Sequence, residues 1–237
     1  MSSTDHIVKS FDEELSRLSD QISRMGGLAE VQIERAIESL QRRNSEEAAH
    51  IIEEDMRIDE LQVEIEELAI QMIARRQPLA TDLRATVAGL KIAPLIERIG
   101  DYAKNIARRT IALNQNPPIK PMFTIPRMGR MSRGMVQDVL DAFSNNDLAK
   151  ARAVWERDAE LDDMNDSLFR ELLTYMMEDP RSITSCTHLL FVARNIERIG
   201  DIATNIAEIV HYQVEGQPLT EDRPKTDEAS VTVVDNN

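Results

Sequence analysis

The sequence predicts an all-α protein: two tandem homologous antiparallel three-helix bundles, six long helices in all. Three observations lead there. Apolar residues recur at three- and four-residue spacing along almost the whole chain, the period of a helix with one buried stripe. No stretch alternates apolar and polar residues with the period of two that a half-buried strand needs. The segment IERIGDYAKNIA at 96–107 returns as IERIGDIATNIA at 196–207, with ten of twelve positions identical, which is the mark of an internal duplication.

The elements follow from the breaks between periodic stretches. A first helix is expected over 8–42, with Gly26-Gly27 inside it. Each glycine costs about 1 kcal/mol against alanine in a helix interior, so the pair needs a close backbone approach or a break to account for it. The sequence RRNSEE offers Asn44 or Ser45 as the N-cap of a second helix over 46–76, since a short polar side chain there accepts from orphan backbone N–H groups. Pro78 stands where a third helix, 79–114, begins. The stretch NQNPPIKPMFTIP holds four of the nine prolines and reads as a linker. A fourth helix is expected over 127–144. SNNDLAK then supplies a turn and cap before a fifth over 147–178, and MEDPRS a turn before a sixth over 182–214. The domain organisation is therefore a first repeat over 1–116, a proline-rich linker over 117–126, a second repeat over 127–216 and a disordered tail over 217–237.

The halves match beyond the opening motif. Met25-Gly26 corresponds to Met128-Gly129 and Asp55 to Asp158, both at an offset of 103, which falls to 100 after the turns at Pro78 and Pro180.

Composition narrows the function. The chain carries 42 acidic and 28 basic residues among 237, a formal net charge of −14. That excess argues against nucleic acid, which needs a basic face, and against direct adsorption to anionic lipid. Arg42-Arg43 and Arg75-Arg76 read as solvated helix ends. The one cysteine, Cys186, permits no intramolecular disulfide and no cysteine-based metal motif. MSSTDHIVKS lacks the n- and h-regions of a signal peptide, and no apolar run approaches the roughly 20 residues needed to span a bilayer. A cytoplasmic location is expected.

The chemistry-bearing pattern is acidic. At 100° per residue, Asp55 and Asp59 fall within the stripe of Ile51, Ile52, Ile58 and Val63, and Asp158 and Asp162 within that of Val154, Trp155 and Leu161. In the third helix of each half, Leu83, Val87, Leu90 and Ala93 lead to Glu97 and Asp101, and Ile183, Cys186, Leu190 and Ala193 lead to Glu197 and Asp201. Residues at i and i+4 are neighbours on a helix, so each half offers four carboxylates from two helices. Clustered carboxylates repel and are costly to bury without positive charge. Three readings remain open: a hard cation of the Mg, Mn, Ca or Fe type on oxygen ligands, bridging by arginine with Arg98 and Arg198 the candidates, or acidic faces turned to solvent. A di-iron bundle enzyme would need Glu-x-x-His, and Gly100 and Gly200 stand where its histidines belong; they suit close helix approach instead. His188 and His211 stand alone, and Trp155 and the methionines of YMMED read as core. No catalytic residue and no site for an organic cofactor is identified.

These motifs identify a family. The two copies of ERIGD…NIA, QPLATDLR before the first, TYMMED before the second, MGG in the first helix and HYQVEG at the end of the sixth resemble the PhoU family of bacterial phosphate-signalling regulators over residues 5–216. The resemblance implies paired three-helix bundles, usually homodimeric, and no enzymatic activity. It implies an adaptor that links the ATPase subunit of a phosphate ABC transporter to a membrane sensor histidine kinase, touching the membrane only through those partners. It implies repression of phosphate-starvation genes when phosphate is plentiful. Some members bind iron or other metals through E/D-x-x-x-D motifs. Those positions correspond here to Asp55 and Asp59, Glu97 and Asp101, Asp158 and Asp162, and Glu197 and Asp201, with Mg, Mn or Fe as the candidate ions.

Overall fold

The computed structural model describes residues 3–119 and 124–219, with side chains from Asp12 onward. The expected tail lies outside the described residues from 220 on. Within these bounds the chain forms α1 (Ser3–Arg42), α2 (Ser45–Glu54), α3 (Met56–Arg76), α4 (Ala80–Asn114), α5 (Thr124–Asn145), α6 (Leu148–Glu178), a 3₁₀ turn (Pro180–Ser182) and α7 (Ile183–Glu215). Among the described residues there is no strand.

The six expected helices are present, with one interruption. The second is divided at Asp55, which keeps right-handed helical torsions (φ −54°, ψ −34°). There the bond from Ile58 N to the Asp55 carbonyl is 2.9 Å, whereas that from Asp59 N has lengthened to 3.5 Å. Local tightening to an i→i+3 bond interrupts the ladder without removing the residue from helical space. α2 starts at Asn44, whose side chain accepts from Glu46 N and Glu47 N. The equivalent residue Asp147 caps α6 by accepting from Lys150 N. The fourth helix begins at Thr124, earlier than expected, with Pro126 in its first turn, where a missing N–H costs nothing. α4 contains Pro94 in its interior, which removes the backbone bond to Leu90.

Of each basic pair, the first arginine is an exposed helix end as expected, Arg42 in the last turn of α1 and Arg75 in that of α3, whereas the second is engaged elsewhere. Arg43 donates to the carbonyls of Leu113, at 3.2 Å, and Asn116, at 2.7 Å, and so caps α4. Arg76 pairs with Glu14 at 2.9 Å.

Packing joins the repeats through equivalent elements: α1 meets α5, and α4 meets α7. Arg84 on early α4 reaches the Gln213 carbonyl on late α7, and Arg109 on late α4 reaches His188 on early α7, so α4 and α7 run antiparallel. The α1–α5 contact is reciprocal. A Cβ on Gly26 would lie 2.1 Å from Leu140 Cδ1, and one on Gly129 2.7 Å from Ile37 Cγ1. Gly129 and Leu140 are the counterparts of Gly26 and Ile37 at the offset of 103. A contact in which i meets j′ and j meets i′ is isologous, as in a two-fold dimer. The glycine in α1 is thus explained by close helix approach. One continuous core results, with Ile22, Ile33, Ile96 and Ile99 from the first repeat and Val136, Leu161, Ile196 and Ile199 from the second, all fully buried.

Candidate functional site

The eight predicted acids form two groups, each at the junction of the second and third helices of its repeat. The stripes that carry them are narrower than expected: Val63 is 55% exposed and Asp59 lies on the surface, whereas Asp55 is 4% exposed. Leu83 and Ile183, at the outer ends of the third-helix lines, are also exposed, while Ala93, Cys186 and Ala193 are buried. Trp155 is core as expected; Met177 of YMMED is 85% exposed.

In the first group, Asp55 from the α2–α3 junction faces Glu97 and Asp101 of α4. Gly100 makes the approach possible: a Cβ there would stand 3.0 Å from Ile58 Cδ1, 3.1 Å from Gln32 Oε1 and 3.4 Å from Asp55 Oδ1. Gln32 of α1 donates to Asp55 Oδ1 at 2.8 Å. The Lys104 ammonium reaches across from α4 to Asp55 while also contacting Asp101. Burial opposes the charge on Lys104, but its hydrogen bonds to Asp101 and Asp55 outweigh that and raise its pKa. Burial raises Glu97 above the usual carboxylate range, assisted by Asp101 and Asp59. Burial, then the Asp55 charge, raises Asp59.

The second group has the same frame with different fittings. Asp158 and Asp162 of α6 face Glu197 and Asp201 of α7, and Gly200 takes the place of Gly100, with Leu161 Cδ2 2.4 Å and Asp158 Oδ1 3.3 Å from where a Cβ would stand. Met135 stands where the first group has Gln32, and Thr204 where it has Lys104. Asp158, Asp162 and Glu197 are all less than one-tenth exposed. Glu197 Oε1 accepts from Arg194 at 2.7 Å, along the same helix, and Arg194 is itself half-exposed. Glu197 Oε2 is buried with no hydrogen-bond partner. Desolvation, followed by repulsion from Asp201, pushes the Glu197 pKa up to about 7.

Arginine bridging by Arg98 and Arg198 is not what the structure shows. Arg98 lies at 3.5 Å from the Tyr102 hydroxyl, and the Arg198 guanidinium lies 5.8 Å from the Tyr102 ring centre. Lys104 pairs with Asp55 and Asp101, and Arg194 with Glu197; neither cation is singled out by the motif pattern. The signal for the first was available: Lys104/Thr204 is one of the two mismatches between the twelve-residue copies, and Tyr102/Ile202 is the other. Gln32 lies too far away in sequence to be found by spacing.

The two groups fit a cation differently. The second has an orphaned buried carboxylate oxygen on Glu197; the first has an ammonium between its acids. Among the described residues no three His, Cys, Asp or Glu side chains converge on one ligating point, so closing on an ion requires the carboxylates to rotate.

The comparison with known proteins is decisive on family. The PhoU domain matches residues 22–110 and again 125–210. The chain belongs to the PhoU family. A homologue from Caulobacter vibrioides (strain NA1000 / CB15N) named phosphate-specific transport system accessory protein PhoU homolog is 51% identical over 225 residues, covering 94% of this chain and 98% of its own length. The phosphate-specific transport system accessory protein PhoU of Escherichia coli (strain K12) is 38% identical over 214 residues, 90% of this chain and 88% of that one. Two crystal structures share the PhoU architecture. PhoU from Pseudomonas aeruginosa aligns with a TM-score of 0.84 at 38% identity over 87% of this chain and all of that chain. The phosphate transport system regulatory protein PhoU from Streptococcus pneumoniae aligns with a TM-score of 0.83 at 28% identity, over 89% of this chain and all of that chain.

Proposed function

We propose that this PhoU-family protein is an accessory regulator of phosphate transport. It acts as a cytoplasmic, non-enzymatic adaptor between the ATPase subunit of a phosphate ABC transporter and a sensor histidine kinase, and restrains uptake and the phosphate-starvation genes when phosphate is plentiful. The observation that carries this reading is the doubled PhoU domain in a chain aligned nearly end to end with relatives named as phosphate transport accessory proteins. The surface supports it. Phe169, Leu173 and Met177 recur every fourth residue on α6 and are 41%, 41% and 85% exposed, an apolar line on a helix that suits a protein partner. No helix of the described residues is long and apolar enough to cross a membrane, so contact with the membrane comes through those partners. A homodimer is the proposed assembly.

Deleting the gene tests the reading. Alkaline phosphatase, or another phosphate-starvation reporter, is expected to rise in phosphate-rich medium and to return to its low level on complementation. Unchanged reporter output after deletion would count against the adaptor.

The acids are proposed to hold Mg, Mn or Fe, tying the second helix of a repeat to the third and so stiffening the docking face. Elemental analysis of protein purified without chelator or affinity metal, beside a variant with Glu97→Gln, Asp101→Asn, Glu197→Gln and Asp201→Asn, tests this. Metal present in the parent and lost in the variant is expected.

A further inference from the structure

α3 is apolar on two sides, and the bundle uses only one of them. Ile58, Leu61, Ile65, Ala69 and Met72 form its buried stripe. Met56, Val63 and Ile70 recur every seventh residue on the other side and are 62%, 55% and 56% exposed. Single exposed apolar residues are ordinary on a protein surface, whereas a line of them marks a contact. This line runs for about 21 Å, four turns of helix. Glu60, Glu67 and Glu66 flank it within about 60° on either side, and α3 places no cation inside that sector. Arg76, at the end of the helix, is turned to Glu14 of α1. Among the described residues none of the three glutamates is in an ion pair. Glu66 accepts only from Gln62, at 2.7 Å, one turn away on the same helix. The second repeat does not repeat this face. At the offset of 103, Met56 and Val63 become Ala159 and Asp166, and Glu66 and Glu67 become Phe169 and Arg170. α3 packs on α1 and α4, and α6 on α5 and α7, so the two outward faces lie on opposite edges of the row α3–α4–α7–α6 and carry different patterns.

We propose that the outer face of α3 docks a cationic amphipathic helix of a partner protein, laid along Met56, Val63 and Ile70 with its lysines or arginines against Glu60, Glu66 and Glu67. The charges select this occupant. A second copy of the chain offering the same face would set glutamate against glutamate, and like charges across an interface oppose association. α6 of a second copy is no better, since it too carries more acids than bases. The same glutamates turn away an anionic lipid surface. A helix with an apolar seam and basic flanks satisfies the line and its acids together, as flanking charges do when they set the partner of a paired helix. This assignment rests on the adaptor reading above and gives the adaptor a second docking face, separate from Phe169, Leu173 and Met177, so that one partner sits on each edge of the molecule.

The test uses the full chain and two synthetic, fluorescein-labelled helical peptides about four turns long. Both carry leucine along one side; one has lysine beside the leucines and the other glutamate. Fluorescence anisotropy measures their binding to the parent, to Val63→Ser with Ile70→Ser, to Glu60→Lys with Glu67→Lys, and to Leu173→Ser with Met177→Ser on the opposite edge. All six positions are exposed, so the variants keep the fold. The lysine peptide is expected to bind the parent and the α6 variant alike, to bind both α3 variants at least about tenfold more weakly, and to weaken as salt is raised. The glutamate peptide is expected to bind only the Glu60→Lys, Glu67→Lys form. Equal affinity of the lysine peptide for the parent and both α3 variants would overturn the assignment, and so would a loss confined to the α6 variant. A parent that sediments as a dimer only while Val63 and Ile70 are in place would overturn it in favour of a second copy. No binding of the lysine peptide to any form would overturn it while sparing the adaptor reading, which the deletion strain tests by itself.

Discussion

At the scale of single residues, the glycines and Lys104 make the sharpest predictions. Gly26 and Gly27 are sequence neighbours with opposite surroundings: a Cβ on Gly26 would enter Leu140, whereas one on Gly27 meets nothing within 4 Å. Gly27→Ala should therefore stabilise by about 1 kcal/mol through helix propensity alone. Gly26→Ala gains the same propensity but overpacks a buried leucine, at a cost of about 1–3 kcal/mol, and should be the less stable of the two variants by that margin. Urea unfolding of both checks this, and equal stabilities would mean that α1 and α5 do not approach as described. Lys104 is the counter-charge of Asp55, a carboxylate only 4% exposed. Lys104→Met in metal-free protein should cost about 3 kcal/mol, because breaking such a pair leaves a buried charge uncompensated. A loss well under about 1 kcal/mol would mean that solvent, not lysine, neutralises Asp55.

At the scale of elements, the repeats behave as copies where local chemistry decides and as strangers where their neighbours differ. Asn44 and Asp147 are counterparts, and both cap the second helix of their repeat by accepting backbone N–H bonds. Asn44→Ala and Asp147→Ala should each cost about 1 kcal/mol, measured as shifts in the unfolding midpoint. One of them costing nothing would remove the equivalence of the two starts. The third helices differ more. α4 carries Pro94 one turn before Glu97, and α7 carries Arg194 in the same place. The first therefore loses a backbone hydrogen bond beside its acids, while the second gains a guanidinium on Glu197.

At the scale of the whole molecule, the two bundles are halves of one core. α1 packs on α5 and α4 on α7, and the Gly26–Leu140 and Gly129–Ile37 contacts are mirror statements of one another. An isologous interface can be made by two copies of the same surface. A fragment ending at residue 119 is therefore expected to pair with itself, or to fail to fold, since its α1 and α4 faces would otherwise be bare to water. Sedimentation equilibrium of the fragment checks this, and a folded monomer would show that the shared core is not required. The full chain should accordingly unfold in one transition rather than two.

How much of this could be read beforehand follows from the range of each interaction. The sequence by itself determined the six helices, a cap at Asn44 or Ser45 and another within SNNDLAK, the duplication and the family, and it put the acids of each repeat on its second and third helices, because helical periodicity and capping are local and a repeat is visible as text. It misjudged how far the stripes extend at Asp59, Val63, Leu83 and Ile183, since a 100° projection finds the side of a helix but not where the neighbouring helix ends. It offered Arg98 and Arg198 as the bridging cations, being nearest in sequence to the acids; the reach of each side chain and the position of Tyr102 turned both away. Only the tertiary structure decided that Lys104 and Gln32 converge on Asp55, that Glu197 is left with an orphaned oxygen, and that two bundles share one core. Those outcomes depend on which face of one helix meets another across a hundred residues of chain, and that is set by the packing of the whole core rather than by any stretch of it.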